Sequence, residues 1–181
     1  YNQIVKGGGH GDYHPIVLAP ASIQEAIDQT VLAFELAEKY RSVVIVLIDG
    51  VLGQMMEPAE LPPMQKLRKT APDWAVTGAE GRGKRILNSL YINPVDLEVT
   101  DLRLLQRWIH IQENEVRCRE YFLEDAKIAV IGYGSAGRVA LSAVRAARDE
   151  GIPVGLLRPV TLHPFPSHAV DELSQQVDSI L

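Results

Sequence analysis

Few residues in this chain have types and spacing that could do chemistry. Gly132-Tyr133-Gly134-Ser135-Ala136-Gly137 carries the spacing of a dinucleotide fingerprint, between an apolar run and a helical pattern. In that setting glycines let the backbone approach a pyrophosphate, while the helix N-terminus supplies N–H groups and partial positive charge. A ribose-holding acid about 20 residues further on is missing. The next apolar run ends near Arg158, which could suit a 2′-phosphate, and Glu150 lies just before that run. The simpler reading is a tight strand-to-helix turn, with an NAD(P)-binding reductase working through Gly132, Gly134 and Gly137 as the alternative.

His10 and Asp12 sit together in the glycine-rich stretch Gly7 to Asp12, where a histidine beside a carboxylate could be a polarised active-site group or an ordinary loop residue. Asp49-Gly50 follows a β-branched run, at the edge where open α/β sheets place ligands, yet Asp-Gly is also a common strand stop. The five histidines (10, 14, 110, 163 and 168) include no pair four apart beside a glutamate, so no zinc-hydrolase pattern exists. Nor is there a nucleophile elbow, a P-loop or a recognisable carboxylate pair. Cys118, the only cysteine, reads as an ordinary half-buried thiol, and Trp74 and Trp108 as packing anchors.

The elements that must position these residues follow from hydrophobic period. Ile16-Val17-Leu18-Ala19 reads as a buried strand. Ser22, with Glu25 three residues on, opens a helix over about 22–39, and Val43 to Ile48 is a strand covered on both faces. These make a β-α-β unit. From Met55 to about Thr100, five prolines (58, 62, 63, 72 and 94) break every period, which predicts a long irregular connection that wraps a neighbouring surface or joins two domains. Helical spacing resumes with Leu102, Leu105, Trp108 and Ile109, as far as about Phe122. A second β-α-β-α unit follows: strand 127–131, the glycine turn, helix 139–149 ended by Gly151, strand 154–157, a proline-rich loop 158–166, and a final helix marked by Val170, Leu173 and Val177.

A net charge of −5 argues against a nucleic-acid surface, which needs clustered cations. No apolar run approaches the roughly 20 residues that cross a bilayer, so no membrane partner is expected. One cysteine fits a reducing cytoplasm. The start at Tyr1 and the end at Leu181 suggest a chain cut at both ends.

Three segments together resemble one family: Gly7 to Tyr13 running on to Ile16-Val17-Leu18-Ala19-Pro20, Asp49-Gly50-Val51-Leu52-Gly53-Gln54-Met55-Met56-Glu57-Pro58, and Arg158-Pro159-Val160-Thr161-Leu162-His163-Pro164-Phe165-Pro166. They are similar to the alpha subunit of 2-oxoacid:ferredoxin oxidoreductases. Lys84 to Tyr91 and Glu113 to Arg117 look most like the 2-oxoisovalerate, or VorB-like, branch.

The resemblance implies an α/β fold of parallel-sheet three-layer units. Residues 1–54 would be the C-terminal half of a thiamine-diphosphate pyrimidine-binding domain, 55–124 a connector and helix, and 125–181 the start of a transketolase C-terminal-like domain. It implies oxidative decarboxylation of a 2-oxoacid with coenzyme A, giving an acyl-CoA, carbon dioxide and reduced ferredoxin. Thiamine diphosphate and magnesium would be held mainly by a beta subunit, and iron–sulfur clusters by partner subunits, the partners being beta and gamma or delta chains of the same oxidoreductase. The family's activating glutamate and its Tyr-Pro-Ile-Thr-Pro segment would lie before Tyr1, so no catalytic residue is carried over. His10, Asp12 and Asp49 are then candidates for lying near the cofactor. A non-catalytic assembly module is the second alternative.

Overall fold

The computed structural model describes residues 1–5, 13–64 and 70–181. A one-turn helix α1 (Asn2–Val5) precedes strand β1 (Ile16–Leu18), whose residues are completely buried. Burial on both faces is what a run of three successive branched apolar residues provides. Helix α2 (Ile23–Tyr40) carries the chain over to β2 (Val44–Val46), which pairs parallel with β1.

The start of α2 is the capping box expected from sequence, shifted by one residue. Ser22 Oγ accepts the Glu25 N–H, while the Glu25 carboxylate accepts the N–H of Ala21 instead of that of Ser22. Leu36 and Tyr40 of α2 bury Ile16 and Leu18 together with Trp108 and Ile111. Those last two belong to α4 (Pro94–Asn114), which follows a short α3 (Gly50–Gln54) and the irregular segment after it. Between α3 and α4 the described residues form no helix or strand, and Met56, Leu61, Met64, Ile86 and Ile92 stand exposed.

Helix α4 starts eight residues earlier than its apolar spacing suggests, because the Asn93 side chain caps it and Pro94 suits the first turn. It also stops earlier. Residues 118–121, expected as helix, form β3 (Cys118–Tyr121), antiparallel to β5 (Val154–Pro159). β5 also pairs parallel with β4 (Ile128–Ile131), and β4 with a short β7 (Ser179–Ile180), giving the order β3-β5-β4-β7.

Helix α5 (Gly134–Asp149) covers Leu156 and Val154 through Val144, Ala140 and Ala147. Helix α6 (Ser167–Gln176) covers Leu157 and Ala129 through Leu173, Ala169 and Val170. Leu156 and Leu157 point to opposite faces of the strand, so the two helices lie on opposite sides of the sheet. The result is a three-layer α/β arrangement of the expected class.

The segment 158–166, expected as loop, is largely strand. β5 runs on to Pro159, and β6 (Thr161–His163) then joins the other sheet antiparallel to β1, giving β2-β1-β6. Ala19 N–H donates to the Val160 carbonyl at the crossing. One continuous run of chain therefore ties the two sheets together.

Candidate functional site

The carboxyl ends of β1 and β2 meet the amino ends of α2, α3 and α5, and three carboxylates hold this junction. Asp49 caps α3, its Oδ1 accepting the Leu52 N–H at 2.9 Å. Its Oδ2 accepts the N–H of Ser135, in the first turn of α5, also at 2.9 Å. One carboxylate thus serves two helix amino ends, where negative charge is favoured. Those N–H groups, Leu52 first, hold the Asp49 carboxyl below the usual carboxylate range.

The glycine turn is built around this contact. Gly134 has φ +57°, and a Cβ there would stand 3.0 Å from Asp49 Oδ2. A Cβ on Gly137 would lie 2.7 Å from the Gly132 carbonyl oxygen, far inside contact distance. The chain's own aspartate therefore occupies the position that a pyrophosphate takes in a dinucleotide site.

Arg158, considered above for a 2′-phosphate, is committed elsewhere. Its side chain is only 3% exposed and makes a two-pronged pair with Glu25, at 2.9 and 2.6 Å. This planar fork is the strongest form of the arginine–carboxylate contact, and Arg119 adds a longer approach at 3.7 Å. Burial by itself would raise the Glu25 pKa, but the Arg158 hydrogen bonds and the Ala21 N–H outweigh it and leave the carboxyl below its ordinary value.

Glu57 completes the set. It accepts the Ile23 N–H at 3.0 Å and pairs with Arg138 of α5 at 2.5 Å, and its pKa too is lowered, chiefly by Arg138. Sequence reasoning took Glu25 for a cap only and missed both arginine partners. Glu57 and Arg138 lie 81 residues apart, and no local pattern joins them.

The structure brings parts of all three resemblance segments to one junction: β1 with Pro20, Asp49 to Glu57, and Arg158 to His163. His10 and Asp12 lie outside the described residues. Their neighbour His14 stacks on Trp108, with ring centroids 4.8 Å apart, and Trp108 stacks on His163 at 4.1 Å. Burial lowers the His163 pKa, against a short contact from Nδ1 to the Pro15 carbonyl. Trp108 is the packing anchor expected, whereas Trp74 is 39% exposed and lies under the guanidinium of Arg41. Burial, then Glu120, raises the Cys118 pKa, which makes it a poor thiolate.

Proton transfer near neutral pH needs a carboxyl whose pKa is raised. Asp49, Glu25 and Glu57 all have lowered values and occupied oxygens, so their role is to position helices. Among the described residues no group of three or more His, Cys, Asp or Glu could hold a metal ion, and no helix is long and apolar enough to cross a membrane.

Two family models divide the chain. Residues 4–120 match the pyruvate flavodoxin/ferredoxin oxidoreductase, thiamine diP-binding model, and residues 126–181 match the pyruvate:ferredoxin oxidoreductase core domain II. The chain belongs to this oxidoreductase family. Within it, the chain is 51% identical over 174 residues to the ketoisovalerate oxidoreductase subunit VorB of Methanothermobacter thermautotrophicus, covering 96% of this chain and 49% of that protein. It is 32% identical over 200 residues to the 2-oxoglutarate synthase subunit KorA of Methanothermobacter marburgensis, covering 96% and 53%. The chain thus spans about half the length of the curated relatives it matches.

Among solved structures, the fold is shared with a 2-oxoglutarate:ferredoxin oxidoreductase from Magnetococcus marinus with 2-oxoglutarate, coenzyme A and succinyl-CoA bound. The TM-score is 0.75 at 21% identity, over 99% of this chain and 36% of that one.

Proposed function

We propose that this chain is part of the alpha-type subunit of a 2-oxoacid:ferredoxin oxidoreductase that converts a branched-chain 2-oxoacid, with coenzyme A, to an acyl-CoA. The observation that carries this reading is the 51% identity to a ketoisovalerate oxidoreductase subunit across 96% of the chain, against 32% to a 2-oxoglutarate synthase subunit. The working enzyme is a heteromeric complex with beta and gamma or delta partners, and ferredoxin accepts the electrons. Its compartment is the cytoplasm.

The described residues do not by themselves fit as the holder of thiamine diphosphate. Asp49, Glu25 and Glu57, the carboxylates at the strand-end junction, are all engaged by N–H groups or guanidinium groups. The acid that would activate the aminopyrimidine, and the ligands of magnesium and of iron–sulfur clusters, belong in this reading to other parts of the complex. What these residues supply is rigidity. Asp49 and Glu57 tie α5 to the β2 end, and Arg158 ties β5 to α2, so both sheets are held at this junction. Residues 1–54, 55–124 and 125–181 are the corresponding divisions: pyrimidine-binding half, connector, and transketolase C-terminal-like start.

The test is acceptor reduction by the assembled complex, with viologen dye as acceptor, coenzyme A present, and 2-oxoisovalerate, 2-oxoglutarate and pyruvate as rival substrates. The highest kcat/KM is expected with 2-oxoisovalerate. Preference for 2-oxoglutarate would overturn the branch assignment, and no coenzyme A-dependent reduction with any of the three would overturn the activity.

A further inference from the structure

One cavity far from the strand-end junction has a composition that its surroundings do not explain. It has a volume of about 610 Å³, lies between the end of α2, the irregular residues 86–91 and the middle of α4, and among the described residues its lining holds Lys39, Arg41, Arg103 and Arg107 and no Asp or Glu. The whole chain is acidic, with 23 Asp and Glu against 18 Lys and Arg. Four cations and no carboxylate on one wall run against that average.

Ordinary structural duties account for part of the set. Lys39 pairs with Glu115 at 2.7 Å. Arg107 Nη1 donates to the carbonyls of Arg41 and Tyr40, at 2.9 and 3.3 Å, and so caps the negative end of α2. They do not account for Arg103, and Arg41 is engaged only through the face of Trp74, 5.3 Å from the ring centroid. Among the described residues no carboxylate lies within ion-pair distance of Arg41, Arg103 or Arg107. Arg41 also holds the left-handed αL conformation, φ 47°, at the helix C-cap, where glycine is the low-energy choice. Arg103 is exposed, and its side chain forms no hydrogen bond, ion pair or ring contact among the described residues. Burial, then the charges of Arg103 and Arg41, lowers the proton affinity of Arg107, so the cluster repels itself as it stands. An anion between the three guanidinium groups would relieve that repulsion.

We propose that this cavity binds the phosphate of a phosphorylated small molecule of about nucleotide size. Guanidinium groups recognise phosphate oxygens in two-pronged fashion. The volume lies within the range of small-molecule sites, roughly 300–1,000 Å³. Ile86, Leu87 and Tyr91 give the cavity an apolar and aromatic wall for the remainder of the ligand, beside Ser89. An isolated arginine cluster on an acidic chain suits one small anion better than the long phosphate track of a nucleic acid.

The experiment is titration calorimetry of the full chain in its complex with pyrophosphate and then ADP, at constant ionic strength set by sodium chloride. Arg103→Gln tests the site without touching the α2 cap held by Arg107. Saturable binding that falls about tenfold or more in R103Q is expected, since one charge-assisted hydrogen bond is lost, with partial recovery in R103K. Because the substitution reports only on this cavity, a phosphate site elsewhere in the complex leaves the two titrations equal, and that result overturns the proposal. Absence of saturable binding by either probe also overturns it, as does binding of a polyglutamate peptide without binding of pyrophosphate, which would make the wall a protein-docking surface.

Discussion

Glu115 offers the sharpest test of how the two units are held together. It sits at the C-cap of α4, 2% exposed, and accepts from Lys39 Nζ at 2.7 Å, Tyr40 Oη at 2.6 Å and Arg117 Nη2 at 2.7 Å. Arg117 in turn presents its carbonyl to the N–H groups of Val160 and Thr161, where the chain crosses between the sheets. Burial alone would raise the Glu115 pKa, but the three donors outweigh it and bring the value from 4.5 down to about 2. At about 1.4 kcal/mol per unit, that displacement is worth about 3 kcal/mol of folding stability.

Because the folded pKa is depressed, this contribution is fully present above about pH 4.5 and is lost as pH falls towards about 2. Glu115→Gln keeps the volume and an acceptor for Tyr40, and the partners it leaves, Lys39 and Arg117, are 56% and 34% exposed and find water. The variant should therefore be about 3 kcal/mol less stable at pH 7, with the gap closing in acid. Urea unfolding at pH 7, 4.5 and 3 measures this, and the slope against urea should not change. A gap that is the same at pH 3 and pH 7, or one below about 1 kcal/mol at pH 7, would refute the charge-hub reasoning.

Three further outcomes follow from the junction. Arg158→Met strands the half-buried Glu25 carboxylate and should cost about 3 kcal/mol; in a double-mutant cycle with Glu25→Gln the coupling should exceed about 1 kcal/mol, and additive losses would show that the pair does not bind the units together. Asp49→Ala removes the acceptor for two helix amino ends and should cost about 1–2 kcal/mol, with faster hydrogen exchange at both Leu52 and Ser135; unchanged protection at Ser135 would separate the two helices. Titration with NAD or NADP should show no saturable binding that survives in Arg103→Gln, because Asp49 already fills the turn at Gly132 to Gly137; binding that persists in Arg103→Gln and speeds hydrogen exchange at Ser135 would restore the reductase reading.

Much of the fold was legible from the chain alone. Ile16 to Leu18 and Val154 to Leu157 are short apolar runs that only a doubly covered sheet can bury, and Ser22 with Glu25 marks a helix start through local hydrogen bonds. Where the reading failed, local rules were ambiguous. Val116 to Arg119 alternates apolar with charged residues, a short strand pattern that follows a helical one without a break, so the helical spacing reads on over it. The stretch after Arg158 holds prolines that signal a loop, yet β6 forms there because β1 offers an unpaired edge from 143 to 146 positions away.

The site divides in the same way. Residue types and order alone marked the glycine turn, the aspartate after β2 and the resemblance to an oxidoreductase subunit, since those signals lie within a few consecutive residues. Which partner each charge would take was decided by tertiary structure. Asp49 meets Ser135, Glu25 meets Arg158 and Glu57 meets Arg138 across 86, 133 and 81 positions. A carboxylate takes whichever N–H or guanidinium the folded chain brings within 3 Å, and that choice is set by the packing of whole helices and sheets.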